Sequence, residues 1–167
     1  MSNQSDIAKI IEQEQRLVFN SFGEEDAFAI GCALKKRADE AKLGIVIDVA
    51  LWDRKLFYHA CPGTTADNED WVRRKINLVR RFHKSSYRMG LELAEAGKTL
   101  ADRNLASVDY AAHGGCFPIK VKGAGIIGTV TVSGLPQRQD HIIVVEEVAR
   151  HLKISLSGIE LDSPVPN

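Results

Sequence analysis

The sequence predicts an α/β (α+β) fold: a single domain in which an antiparallel sheet is flanked by helices. Three observations predict it. Two pairs of short β-branched runs are each joined by a tight turn, which makes local hairpins, whereas a parallel sheet needs a crossover between strands. Segments with apolar residues at helical spacing alternate with these hairpins in the order helix, helix, hairpin, helix, hairpin, helix. Finally, 167 residues that are 44% hydrophobic and 26% charged, with 5 prolines, can bury one sizeable core and lack the bias of a disordered chain.

Each element has its own signal. Ser5 is positioned to cap a first helix, with Ile7, Ile10, Ile11 and Leu17 on one face and Glu14 interrupting it. Leu17-Val18-Phe19 is a short apolar run that suits an edge strand. Glu24, Glu25 and Asp26 suit the positive end of a second helix, which runs to about Ala41 and closes at Leu43-Gly44. Ile45–Trp52 and Lys55–Cys61 form the first hairpin about Asp53-Arg54. Asp67 or Asn68 then caps a long helix reaching about Ala96, ended by Gly97-Lys98. Phe117–Val121 and Gly125–Val132 form the second hairpin about Lys122-Gly123-Ala124. Gly134-Leu135-Pro136 breaks the strand, and Asp140 caps a last helix that carries Ile143, Val144, Glu147, Val148 and His151. The expected organisation is an N-terminal helix over 1–16, a domain over 17–160 and a loose tail over 161–167.

Charge narrows the partners. Lys+Arg and Asp+Glu both total 22, so no global field draws the chain to nucleic acid or to an anionic membrane. No apolar run has the length of a membrane span, and the opening Met-Ser-Asn-Gln-Ser-Asp has no secretory pattern. Cys32, Cys61 and Cys116 are an odd number without framework spacing. A cytoplasmic protein with reduced thiols is expected. Gly123, Gly125 and Gly128 lie within a hairpin rather than between a strand and a helix, which excludes a nucleotide fingerprint.

The stretch Asp109-Tyr110-Ala111-Ala112-His113-Gly114-Gly115-Cys116 sets a histidine against two glycines just before a strand. Glycine permits positive φ and close approach, and histidine changes charge or ligation near neutral pH. Together with Pro62-Gly-Thr-Thr-Ala-Asp-Asn-Glu-Asp-Trp71, His83-Lys-Ser-Ser-Tyr87 and Thr131-Val-Ser-Gly-Leu-Pro136, this stretch resembles the haem-degrading-domain (GlcG-like) family, in its cytoplasmic branch. The resemblance runs from about Leu17 to Leu152. It implies a profilin-like fold, homo-oligomeric assembly and, through some relatives, haem as a ligand. In that family the position of Cys116 is usually a small residue, which argues against a Cys116 nucleophile.

His113 is the leading candidate, either as a haem axial ligand or pocket hydrogen-bonding group, or as a loop histidine that orients its turn. Gly114 and Gly115 would line the same ligand site. Arg73, Asn77, Arg81, Lys84 and Arg88 step along one face of the long helix, so Arg73 and Arg81 are candidates for carboxylate, phosphate or propionate recognition. The other reading of that face is a solvated or interface surface. His83 continues the Val72, Ile76, Val79 stripe and is either a pocket residue or a core one. If the chain is an enzyme, His113 would act with Asp109 or Tyr110. Cys116 reads as a small buried thiol. His59, Cys61, His113 and Cys116 lack the paired spacing of a zinc site, so no metal is assigned. The resulting expectation is an oligomeric small-ligand-binding protein, for haem or another anionic molecule. The alternatives are a protein-interaction or targeting accessory, or an enzyme that uses His113.

Overall fold

The computed structural model describes residues 2–162. Its strands are β1 (Val18–Phe19), β2 (Val46–Leu51), β3 (Lys55–Ala60), β4 (Cys116–Val121) and β5 (Gly125–Ser133). Its helices are α1 (Asn3–Arg16), α2 (Glu24–Ala41), α3 (Ala66–Phe82), α4 (Ser86–Glu95) and α5 (Gln137–Leu152), with a 3-10 turn at Ala101–Arg103. The strands make one five-stranded sheet in the order β1-β4-β5-β2-β3. Both expected hairpins form, and β5 joins them by pairing antiparallel with β2. The sheet is nevertheless mixed, because β1 lies parallel to β4, with Val18 opposite Lys120 and Phe19 opposite Val121. The chain between them, α2 through α4, supplies the crossover that a parallel pair requires.

Helices cover both faces of the sheet. Ile47, Val49, Phe117, Ile119, Val130 and Val132 face one way and pack against α2 and α5 through Ile30, Leu34, Val144 and Val148. Each fully buried side chain of this size contributes about 1.5–3 kcal/mol, so this face is the main source of stability. The opposite face presents Cys116, Thr129, Thr131, Ser133 and Asp48, all buried, under α3. Among the described residues, no helix is long and apolar enough to cross a membrane.

Three local expectations change. Ser2, not Ser5, caps α1, its hydroxyl accepting from the Ser5 N–H. Thr65 is the N-cap of α3, and the Asn68 side chain reaches back to accept the Thr65 N–H at 2.9 Å. The single helix expected from Asp67 to Ala96 is two helices. His83 takes a left-handed conformation (φ 54°) that ends α3, and Ser85 caps α4 by accepting from the Arg88 N–H. The Ser85-Ser86 pair is the signal for that break, since serine competes with helix continuation and favours caps. Ser86 also anchors β4, its hydroxyl accepting from the Cys116 N–H at 3.0 Å. At the C-terminal end, Leu161 is buried with Ile10 and Tyr87. Ser163–Asn167, most of the expected tail, lie outside the described residues.

Candidate functional site

Three segments converge beside the polar face of the sheet: the first half of α3, the glycine loop before β4, and the turn that opens α5. Lys75 faces inward because it lies three residues from both Val72 and Leu78, on the buried stripe of α3. Its ammonium donates to the Asp140 carboxylate at 3.1 Å and to the Val132 carbonyl at 3.2 Å. Both side chains are almost wholly buried, at 3% and 2% exposed. Asp140 is not the cap of α5 that the sequence suggested: the N-cap is Pro136, and Asp140 lies inside the first turn. From there its carboxylate accepts the Leu135 N–H at 3.0 Å and the Gly134 N–H at 3.4 Å from the preceding turn, and it is the counter-ion of Lys75. Burial raises its pKa to about 6, and the Lys75 charge and the backbone donors restrain that rise. The sequence pattern drew attention to Arg73 and Arg81 on this helix and not to Lys75. The signal that it is buried was its position within the Val72, Leu78, Val79 stripe.

The two glycines are explained by protein neighbours. Gly115 has φ +120°, and a Cβ there would meet the Val132 carbonyl at 2.2 Å and the Lys75 ammonium at 2.8 Å. A Cβ on Gly114 would meet the Gln137 carbonyl at 1.9 Å. The loop thus presses against the Lys75–Asp140 pair and the start of α5, an approach only glycine permits.

His113 stands at the edge of a cavity of about 240 Å³, which Trp71, Lys75, Ser133, Gln137 and Asp140 also line. Its ring meets Trp71 edge-on, with centroids 4.9 Å apart at 77°. The Arg74 guanidinium lies 4.0 Å from the centre of that indole. Burial, then the charges of Lys75 and Arg74, hold the His113 pKa below its ordinary value and favour the neutral imidazole. Among the described residues, no hydrogen bond engages either ring nitrogen. A neutral imidazole with its nitrogens unengaged, held against an aromatic ring, is able to coordinate iron or to accept a proton.

The other candidates are dispersed. Arg73 pairs with Asp70 at 2.9 Å and with Asp109 at 3.3 Å, and it lines a different cavity. The Asp109 carboxylate is therefore turned to Arg73, and its carbonyl accepts from Asn77 at 2.9 Å. Tyr110 packs with Leu78 and Met89, and Arg81 lies 5.9 Å from its ring centre. His83 is exposed at the end of α3, beside a third cavity that Glu14 and Arg88 line. The helix break separates the basic stripe, and Arg88 turns to Glu14 and Glu92, each at 2.7 Å. Cys116 is fully buried, with its thiol pushed up to about 12 by burial, and it accepts from the Thr131 hydroxyl at 3.1 Å. Such a thiol is inert as a nucleophile at neutral pH.

This architecture, a mixed five-stranded sheet between helical layers with an imidazole at the rim of a small cavity, defines a single α+β domain. The chain belongs to the HbpS-like haem degrading protein family, whose profile matches residues 22–149. It is 50% identical over 165 residues to a UPF0303 protein of Rhizobium leguminosarum bv. trifolii, covering 99% of this chain and 100% of that one. A UPF0303 protein of Brucella canis is 53% identical over 151 residues, covering 90% and 89%. Among solved structures, the Ybr137w protein has a TM-score of 0.81 at 27% identity, covering 88% of each chain. A structure described as a PduOC:heme complex has a TM-score of 0.64 at 18% identity, covering 79% of this chain and 94% of that one. HbpS itself has a TM-score of 0.61 at 18% identity, covering 78% and 89%. The last two likenesses speak to the fold alone.

Proposed function

We propose that this protein binds haem at an open site, with the His113 imidazole as the iron ligand, and works as an assembly of identical subunits. The observation that carries the reading is His113 itself: neutral, unengaged at both nitrogens and braced by Trp71. Family membership supports haem as the ligand class. The donor chemistry fits, because neutral imidazole is a common axial ligand of haem iron. The size of the cavity fits only a ligand that remains partly outside it, since about 240 Å³ lies below the range that encloses a drug-sized molecule. Haem iron bound there would supply ligation or redox chemistry. The chain's own residues would do the positioning: Trp71 fixes the imidazole ring, and Arg74 stacked on that indole adds positive charge suited to an anionic ligand.

Haem titration of the purified protein is expected to give a saturable Soret change that His113→Ala reduces at least tenfold in affinity and His113→Gln does not rescue. A saturable band unchanged in His113→Ala would remove His113 as the ligand. Native mass spectrometry of the same material is expected to show a homo-oligomer, and a strictly monomeric species would overturn the assembly part of the reading.

A further inference from the structure

A cavity larger than the one at His113 lies elsewhere in the molecule. A space of about 570 Å³ opens between the β2–β3 hairpin and the first half of α3. At its floor is Asp48, a charged residue in the middle of a central strand, with no exposed surface. Among the described residues, its Oδ1 has no partner. The Lys55 ammonium pairs with Oδ2 at 2.9 Å, and Lys55 is itself 45% exposed. A carboxylate offers about four acceptor sites, so most of the acceptor capacity of Asp48 is unused. Burial raises the Asp48 pKa, and the hydrogen bond and charge of Lys55 oppose that rise. A buried carboxylate oxygen left without a donor, as Oδ1 is, is costly unless it serves something.

The walls indicate what it serves. Val72 and Ile76 from α3 and Ala50 from β2 make an apolar surface beside Asp48. Trp52 borders the same space, its indole fixed by an N–H bond to the Ile126 carbonyl at 2.9 Å. At the rim, Arg54 pairs with Glu24, and Arg73 with Asp70 and Asp109, so those cations are already engaged. The lining holds the carboxylates of Asp48, Asp53, Glu69 and Asp70 against the cations of Arg54, Lys55 and Arg73, an excess of negative charge. Apolar walls, an aromatic border, a buried acceptor pair and negative local charge together favour a flat cation with paired donors.

We propose that this cavity is a second ligand site, which takes a flat small molecule presenting an amidine-type pair of N–H donors to Asp48. The ligand displaces the Lys55 ammonium, whose long stem and exposed position let it swing away, and its planar body lies between Trp52 and the Ile76 side of α3. No bond is made or broken; two charge-assisted hydrogen bonds replace one ion pair. The site is independent of His113, which does not line this cavity.

The test uses the full-length protein and benzamidine, a planar amidine, followed by calorimetry and by tryptophan fluorescence. Saturable binding in the millimolar range or tighter is expected, and Asp48→Asn weakens it at least tenfold. Lys55→Met, which removes the competing ammonium, tightens it severalfold, and His113→Ala leaves it unchanged. Absence of saturable binding to the wild-type protein would overturn the proposal, and so would equal affinity in Asp48→Asn. If Asp48→Asn does not fold, Ile76→Trp, which fills the cavity from the α3 side, decides: retained binding in that variant rejects the site.

Discussion

The two faces of the sheet are built on opposite principles. Under α2 and α5, strand residues such as Ile47, Val130 and Phe117 meet helix residues that are almost all aliphatic. Under α3, the same strands present Asp48, Thr129, Thr131, Ser133 and Cys116, and the helix answers with Lys75. The first face stabilises by removing apolar area from water and tolerates any partner of suitable shape. The second depends on particular pairs, because a buried charge without its partner is worse than no charge at all. Both cavities that carry a functional argument border the second face. The molecule thus separates a face that holds the fold together from a face that holds groups ready to bind.

The largest test of this contrast is Lys75→Met, which strands the buried Asp140 carboxylate. It is expected to cost about 3–5 kcal/mol in denaturant unfolding, and part of that loss should be recovered in a Lys75→Met/Asp140→Asn double variant, which removes the stranded charge and keeps an acceptor for the Leu135 and Gly134 N–H groups. A neutral single variant would mean that the pair is not truly desolvated. Next in size, Ile47→Ala on the aliphatic face is expected to lose about 3 kcal/mol, and no second substitution of a charge should restore it.

A pH series sharpens the contrast further. The Asp140 pKa of about 6 in the fold stands above the ordinary 3.8, so the folded state binds its proton more readily than the unfolded chain does. The resulting gain is fully present below the ordinary value and is lost as pH rises through about 6. The stability of wild type relative to Asp140→Asn should therefore grow by on the order of 2 kcal/mol between neutral pH and about pH 4. A flat difference across that window would place the titration elsewhere. The smallest effect belongs to Thr131→Val, which removes only the donor to the Cys116 sulfur. A loss within about 1 kcal/mol is expected, read as a small shift in unfolding midpoint.

Much of the frame was readable along the chain. Ile45–Trp52 and Gly125–Val132 declare themselves by β-branched runs beside tight turns, and α5 by the spacing of Ile143, Val144 and Val148. His113 and its glycines stood out as well, although the reason for the glycines did not. The expected close approach is made by the Val132 and Gln137 carbonyls and by Lys75, which are distant in sequence. Arg73 and His83 share a helical stretch with Trp71 and Lys75 yet border other spaces, and Arg81 lies beside the Tyr110 ring. A stripe of charges shows which side chains share a helix face, not which of them are answered by partners from elsewhere.

By itself, then, the amino-acid sequence determined most of the elements and the hairpin pairing, because periodicity and turns act over a few residues. Only the tertiary structure decided that β1 would lie parallel to β4, that Lys75 would be buried against Asp140, and that Asp48 would be left with acceptors to spare above an open space. Those outcomes depend on desolvation and on partners brought together from remote parts of the chain, and no local pattern encodes either.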